Sequence, residues 1–187
     1  MTFIYKRAVP SKINASLKRY EINAAFISSI ESRNLTCTDL GIIARKRVYS
    51  VLSIPGEDET DPASASSNQL AKILGLKGKV LIGDEALKYY LDGGEGIDLA
   101  EAWHEKTRLP FIFARLCYNK HGEVVKDHAK RFARKKVKIP QYILKKEAKK
   151  RGITSKELLW YLGHIEYKIS YKAKQSLKLF LKESKSF

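Results

Sequence analysis

The stretch from Asp61 to Leu91 constrains the fold of this chain most, because it combines a capped helix, a buried strand and a second helix. The polar residues Ser64, Ser66, Ser67 and Asn68 precede the run 70–74, whose apolar positions share one face of a helix. Gly75 ends that helix. The apolar run Val80–Ile82 then indicates a buried strand, which a tight turn joins to the next helix. The stretch therefore predicts a helix–strand–helix unit with polar residues at the end of its strand.

The polar residues of this unit are candidate ligand-binding groups. Ser66, Ser67 and Asn68 are residue types that cap helices, and the N–H groups of a first helical turn bind anions such as carboxylates. Asp84 follows the buried strand, where a carboxylate in a crevice can accept a proton. Capping of its own helix explains Asp84 equally well.

A second strand also ends in small polar residues. The apolar run 22–27 is followed directly by Ser28 and Ser29. In open α/β sheets, ligands bind outside the carboxyl ends of the strands, so we expect both strand ends to face one crevice. A serine pair at this place is also typical of a helix cap.

Further strands are predicted at 40–44 and 48–54, with the basic residues 45–47 forming a hairpin or a crossing segment between them. The polar run Pro55–Thr60 is the best candidate for a boundary between two lobes. After residue 118, apolar residues recur at helical spacing, so the pattern predicts an entirely helical tail.

Positive charge is concentrated in that tail. The chain has a formal net charge of +16, and residues 119–187 hold 20 Lys and Arg against 6 acidic residues. Such a segment attracts polyanions, although a solvated lysine-rich helical face gives the same composition. The run Gly152–Glu157 between two basic helices resembles a helix-turn-helix turn, which keeps nucleic-acid binding as an alternative function.

Several classes of protein lack support in the sequence. Cys37 and Cys117 are too few for a disulfide framework, so we expect ordinary thiols in a reducing compartment. No apolar run reaches the length of a membrane span, and we expect a soluble cytoplasmic protein without membrane partners. The four histidines lack the spacing of metal ligands, and no phosphate loop, dinucleotide fingerprint or nucleophile elbow is present.

Four ordered segments resemble one family, the chorismate dehydratases of the futalosine route to menaquinone. The segments are AAFISSIES (Ala24–Ser32), DPASASSN (Asp61–Asn68), VLIGDEAL (Val80–Leu87) and DLAEAWHEKTRLPFIFA (Asp98–Ala114). The resemblance extends from about Val9 onward and is greatest to the epsilonproteobacterial type, whose members have a long lysine-rich helical tail.

The resemblance implies an α/β fold like that of type II periplasmic binding proteins, with two lobes around a cleft. Residues 1–54 together with 111–187 would form the first lobe and the tail, and residues 55–110 the second lobe. The implied reaction is loss of water from chorismate to give 3-[(1-carboxyvinyl)oxy]benzoate, with no metal and no organic cofactor. The protein would then mainly hold two carboxylates and orient the ring.

The resemblance also implies substrate-binding residues from both lobes. These are Ser28 and Ser29 from the first lobe, and Ser66, Ser67 and Asn68 from the second. Asp84 is the candidate catalytic residue. Because no other protein base stands out, we also consider the enolpyruvyl carboxylate of the substrate as the base.

One departure from the family affects these expectations. Members begin with a strand that carries a Tyr-Leu-Asn motif. Residues Thr2–Lys12 of this chain lack that motif and resemble the later family segment that precedes the first full helix. We therefore expect the first lobe to lack a strand and one wall of the pocket, and the exposed edge to favour a homo-oligomer. A binder of small aromatic carboxylates without turnover is a further alternative function.

Overall fold

The computed structural model describes residues 4–134 and 138–186, which form eight helices and seven strands. In chain order these are α1 (Pro10–Lys18), β1 (Ala24–Ser28), β2 (Cys37–Ala44), β3 (Val51–Ile54), α2 (Ala65–Leu74), β4 (Lys79–Ile82), α3 (Gly83–Leu91), β5 (Ile97–Asp98), α4 (Leu99–Thr107), β6 (Phe111–Tyr118), α5 (Gly122–Arg134), α6 (Gln141–Lys150), α7 (Ser155–Leu162), β7 (Ile165–Lys168) and α8 (Tyr171–Glu183). Within the described residues, no helix has the length and hydropathy that crossing a bilayer requires.

The strands form two sheets among the helices, so the fold combines α and β structure as predicted, and its likeness to periplasmic binding proteins stays a prediction. The first sheet has the order β1-β6-β2-β7 and the second has the order β4-β3-β5. Every pair of neighbouring strands is antiparallel. The rule that ligands bind at the carboxyl ends of parallel strands therefore applies to neither sheet.

The helix–strand–helix unit forms as predicted. Ser64 caps α2, and its hydroxyl accepts a hydrogen bond from the N–H of Ser67. Gly75 follows the last turn with φ of +65°, a left-handed conformation that glycine adopts without the penalty of a Cβ. The buried face of α2 includes Leu70 and Ile73, as the spacing requires.

Residues 45–50 form a crossing segment between the sheets, because β2 belongs to the first sheet and β3 to the second. The buried carboxylate of Asp98 fixes this segment by accepting the N–H groups of Val48 (2.9 Å) and Tyr49 (2.6 Å). Its other oxygen caps α4 by accepting the N–H groups of Ala100 and Glu101. Burial raises the pKa of Asp98, although the four N–H donors act in the opposite direction.

The largest core cluster contains residues from both predicted lobes. Trp103 of α4 packs edge-on against Phe111 of β6 and Phe180 of α8, with ring centroids 5.7 and 6.2 Å apart. The indole N–H of Trp103 donates to the Ser176 hydroxyl at 2.8 Å, which satisfies a donor in a fully buried side chain. This packing holds α4 against the first sheet, and the division into two lobes stays a prediction.

The prediction of an entirely helical tail is wrong at one element. Residues Ile165–Lys168 form β7, which pairs with β2 at the edge of the first sheet. The spacing of Leu158, Leu162, Ile165 and Ile169 fits a continuing helix, but α7 ends at Leu162. Pairing with β2 satisfies backbone groups that the edge of the sheet would otherwise leave open.

The expectation of two ordinary thiols is also wrong. Cys37 on β2 lies directly opposite Cys117 on β6, and the two side chains form a disulfide. The cysteines are separated by 80 positions in the sequence, so only the register of the two strands brings them together. The sequence alone carries no signal for this contact.

The crossing segment gives the first testable prediction. Replacement Asp98→Ala removes a helix cap and leaves the N–H groups of Val48 and Tyr49 without this acceptor, so it should lower the free energy of unfolding by about 3 kcal/mol. The expected fall in Tm is roughly 6–12 °C for a chain of this size. Urea unfolding and thermal melts of the purified variant measure both quantities.

The matched control is Glu105→Ala, which removes an exposed carboxylate from the same helix. Its effect should stay within about 0.5 kcal/mol. If Asp98→Ala costs no more than this control, Asp98 does not fix the crossing segment.

Candidate functional site

The turn after β1 is held from two sides. The amide nitrogen of Asn14 in α1 donates to the Ser28 hydroxyl at 3.1 Å, and the N–H of Ser28 donates to the Asn14 side-chain oxygen at 3.2 Å. The Ser29 hydroxyl donates to the Ile112 carbonyl of β6 at 2.5 Å, and the Ser29 N–H donates to the Phe113 carbonyl at 2.9 Å. The turn is therefore fixed against both α1 and β6.

The first turn of α2 is organised by its own polar residues. The Ser64 hydroxyl donates to the Ser67 hydroxyl at 2.7 Å while it accepts the Ser67 N–H at 3.3 Å. The Asn68 carboxamide bonds back to the backbone of Asp61, accepting its N–H at 2.9 Å and donating to its carbonyl at 2.7 Å. Asn68 thus holds the loop that precedes the helix.

One hydrogen bond joins these two segments. The N–H of Ile30 donates to the Ser66 hydroxyl at 3.1 Å, which places the β1 turn against the first turn of α2. We call Ser28, Ser29, Ser66 and Ser67 the serine cluster. Each of these four residues is at most 5% exposed.

The two segments meet because of core packing and not because of parallel strand ends. Leu70 of α2 and Phe111 of β6 belong to the same core cluster, so α2 lies beside the strand that also holds Ser29. The Ile30–Ser66 hydrogen bond brings the β1 turn and the first turn of α2 together, and the role of the four serines in substrate binding stays a prediction. The two strand ends that were expected to face one crevice, those of β1 and β4, belong to different sheets.

Asp84 lies in a different environment. It is in the first turn of α3 with 61% of its side chain exposed, and its carboxylate accepts from the Nε of Arg151 at 2.8 Å. It lines a cavity of about 330 Å³ together with residues of α6 and α7. None of the contacts described for Asp84 reaches the serine cluster, and its catalytic role stays a prediction.

Arg115 on β6 is a candidate site residue that the sequence analysis missed. Its Nη1 donates to the Ser32 hydroxyl at 3.4 Å, and that hydroxyl donates to the Ser29 carbonyl at 2.8 Å. Within residues 4–134 and 138–186, its buried Nε has no hydrogen-bond partner and no carboxylate lies within 4.0 Å of the guanidinium. Burial lowers the pKa of Arg115, and the charge of Asp39 opposes that shift.

The sequence does contain a signal for Arg115. It interrupts the apolar run FIFARLCY, and a charged residue inside a central strand is rarely buried without a partner. A second buried polar atom without a hydrogen-bond partner in the described part of the chain is the side-chain nitrogen of Gln69. Gln69 follows Ser66 by three residues, so the two lie on neighbouring positions of one helical side.

The arrangement is suited to binding an organic anion. Serine hydroxyls, a first helical turn and a desolvated guanidinium all bind carboxylates, and electrostatic attraction is stronger where water is excluded. None of the contacts described for the serine cluster involves a carboxylate. Among the described residues, no group of three or more His, Cys, Asp or Glu side chains is placed to hold a metal ion.

Comparisons with known proteins connect this geometry to one family. The family model described as menaquinone biosynthesis matches residues 54–186. A chorismate dehydratase from Campylobacter jejuni subsp. jejuni serotype O:23/36 (strain 81-176) is 49% identical over 187 residues, covering 97% of this chain and 84% of that protein.

The crystal structure of protein AF1704 from Archaeoglobus fulgidus has a similar fold. Its TM-score is 0.64 at 12% sequence identity, and the match covers 96% of this chain and 84% of that one. The family model extends over most of the chain, from β3 through α8. The chain belongs to the menaquinone biosynthesis family that includes chorismate dehydratase.

Proposed function

We propose that this protein is a hydro-lyase that converts chorismate to 3-[(1-carboxyvinyl)oxy]benzoate in the futalosine route to menaquinone. The relative that is 49% identical is named for the dehydration of chorismate. The structural observation that carries the proposal is the Ile30–Ser66 hydrogen bond, which joins two polar segments near the Arg115 guanidinium. Among the described residues, no carboxylate lies within 4.0 Å of that guanidinium.

The substrate is a dianion, and the site offers two kinds of anion-binding group. Arg115 supplies a planar donor that can bind one carboxylate through two hydrogen bonds. The hydroxyls of Ser28 and Ser66 and the first turn of α2 supply neutral donors for the other. Holding both carboxylates fixes the ring between them, which is the main requirement for a reaction driven by aromatisation.

The reaction breaks two bonds of the substrate and changes no oxidation state. The ring carbon that carries the ether loses its proton, and the electron pair of that C–H bond forms the new ring double bond. The C–O bond of the hydroxyl on the neighbouring carbon breaks, and its electron pair leaves with the oxygen. The hydroxide leaves as water once it is protonated, and the ring becomes aromatic.

The proton acceptor we favour is the enolpyruvyl carboxylate of the substrate itself. The contacts described for the serine cluster include no protein carboxylate, and Asp84 is held by Arg151. A carboxylate attached to the reacting ether is already close to the C–H bond, so the protein needs only to orient it. The bound ring carboxylate then stays on Arg115 throughout the reaction.

The cleft is formed by two lobes of the type found in periplasmic binding proteins. Residues 1–54 and 111–187 belong to the first lobe, and residues 55–110 to the second. Because the serine cluster is buried, the substrate enters only when the β1 turn separates from α2, which breaks the Ile30–Ser66 bond. Closure over the bound substrate excludes water from the reacting atoms.

Incubation of the purified chain with chorismate tests the function. Proton NMR and chromatography should reveal 3-[(1-carboxyvinyl)oxy]benzoate, formed much faster than chorismate decays in buffer alone. Saturable chorismate binding without product would support a binder of aromatic carboxylates and contradict the enzyme. Decay at the rate seen in buffer, without binding, would contradict both.

Arg115 gives a prediction about the site. Replacement Arg115→Gln should lower kcat/KM by about 100-fold, because a charge-assisted contact to a carboxylate is lost where water is excluded. The Tm should stay unchanged or rise, since the variant removes a half-buried cation that has no described ion pair. Steady-state kinetics with chorismate and a thermal melt provide the two readouts.

The matched control is Arg19→Gln, which removes an arginine whose side chain is 72% exposed. It should leave kcat/KM within a factor of two. A kcat/KM for Arg115→Gln within threefold of the parent protein would exclude Arg115 from substrate binding.

A further inference from the structure

A groove between α5 and the first sheet is separate from the serine cluster. Its volume is about 420 Å³, which lies in the range of small-molecule sites. Its wall includes Thr38 and Asp39 from β2, Lys168 from β7, and Lys126, Lys130 and Arg134 from α5. None of these residues belongs to the serine cluster or contacts it in the structure described above.

Positive charge converges on this groove from two sides. Lys126, Lys130 and Arg134 are spaced by four residues, so they lie along one side of α5. Lys168 faces the same volume from the sheet. Four cations therefore line a space that accommodates one small molecule.

These charges are poorly compensated by the protein. Among the described residues that line the groove, Asp39 alone is acidic, and Lys174 binds its carboxylate at 2.7 Å. In the part of the chain that the structure describes, no carboxylate lies within 4.0 Å of Lys130, Arg134 or Lys168. Lys126 is 3.7 Å from Glu123, whose side chain is 97% exposed and contributes little screening.

Packing does not explain why the cations gather here. Among the described residues of α5, Val125 and Ala129 are buried, and Phe132 packs edge-on against Tyr167 of β7 with ring centroids 5.2 Å apart. Apolar and aromatic contacts therefore attach this helix to the sheet. Like charges that share a groove repel one another, and that repulsion opposes the docking of α5. A bound anion would remove the repulsion.

We propose that this groove is a binding site for a small ligand with at least two negative charges, either a phosphate ester or a polycarboxylate. Arg134 provides a planar guanidinium that matches both groups, and the lysines provide point charges around it. A concave groove of this size favours a compact ligand over an extended polymer. The site goes beyond the dehydration of chorismate and does not depend on it.

Calorimetric titration at constant ionic strength tests the site, with inorganic pyrophosphate and citrate as probes. Lys130→Gln/Arg134→Gln should weaken binding of the preferred probe at least tenfold. The matched control is Lys145→Gln/Lys149→Gln, which removes the same charge at the same spacing from exposed positions of α6. The control should bind within threefold of the parent protein.

The two probes distinguish the ligand classes. Tighter binding of pyrophosphate assigns the site to phosphate esters, and tighter binding of citrate assigns it to polycarboxylates. Both double variants should keep the chorismate turnover rate of the parent protein, and their Tm should stay within about 2 °C of its Tm. A failure of anion binding in the groove is then distinguishable from a failure of the proposed dehydratase activity.

Three results would overturn the site. Equal weakening in both double variants would mean general attraction to a basic protein and not a site. A single-stranded oligonucleotide that binds far more tightly than either probe, with equal weakening in both double variants, would also overturn the site. The positive charge would then bind nucleic acid and not a small ligand. Absence of saturable binding by either probe would also overturn it.

Discussion

Strand β6 is the element on which both the fold and the site depend. It pairs with β1 on one side and with β2 on the other, and Phe111 at its start belongs to the largest core cluster. The backbone carbonyl of Ile112 accepts a hydrogen bond from the Ser29 hydroxyl. Arg115 of the same strand donates a hydrogen bond to the hydroxyl of Ser32, which follows the β1 turn. The interactions that stabilise this strand thus also position the proposed substrate-binding groups.

Arg151 and Arg115 differ in whether a carboxylate lies next to the guanidinium. Arg151 lies between Asp84 and Glu147, and its hydrogen bond is the main reason that the pKa of Glu147 falls to about 2. Arg115 has no described carboxylate partner, and burial lowers its pKa. The first arginine joins α3 to α6, whereas we propose that the second binds an anion from outside the protein.

Local signals in the sequence were sufficient for the elements that define one half of the site. The cap at Ser64, the glycine that ends α2 and the strand that precedes the β1 turn depend on residues close in sequence, so patterns predicted them. The partners of these residues lie far away: Asn14 is 14 positions from Ser28, and Ile112 is 83 positions from Ser29. No local pattern encodes such contacts.

The errors have the same origin. The spacing of Ile165 and Ile169 fits a helix, whereas Ile165–Lys168 form a strand through their pairing with β2. The Cys37–Cys117 contact depends on the register of β2 against β6, which the sequence does not specify. The lack of a carboxylate within 4.0 Å of Arg115 among the described residues likewise depends on which side chains surround it after folding.

The central claim is that the β1 turn, the first turn of α2 and Arg115 together hold the carboxylates of the substrate. A crystal structure of the chain with the product 3-[(1-carboxyvinyl)oxy]benzoate tests this most directly. We predict one ligand carboxylate within about 3.2 Å of the Ser66 hydroxyl and the other within about 3.2 Å of the Arg115 guanidinium. A product molecule bound away from both residues, with the Ile30–Ser66 hydrogen bond still intact, would contradict the account.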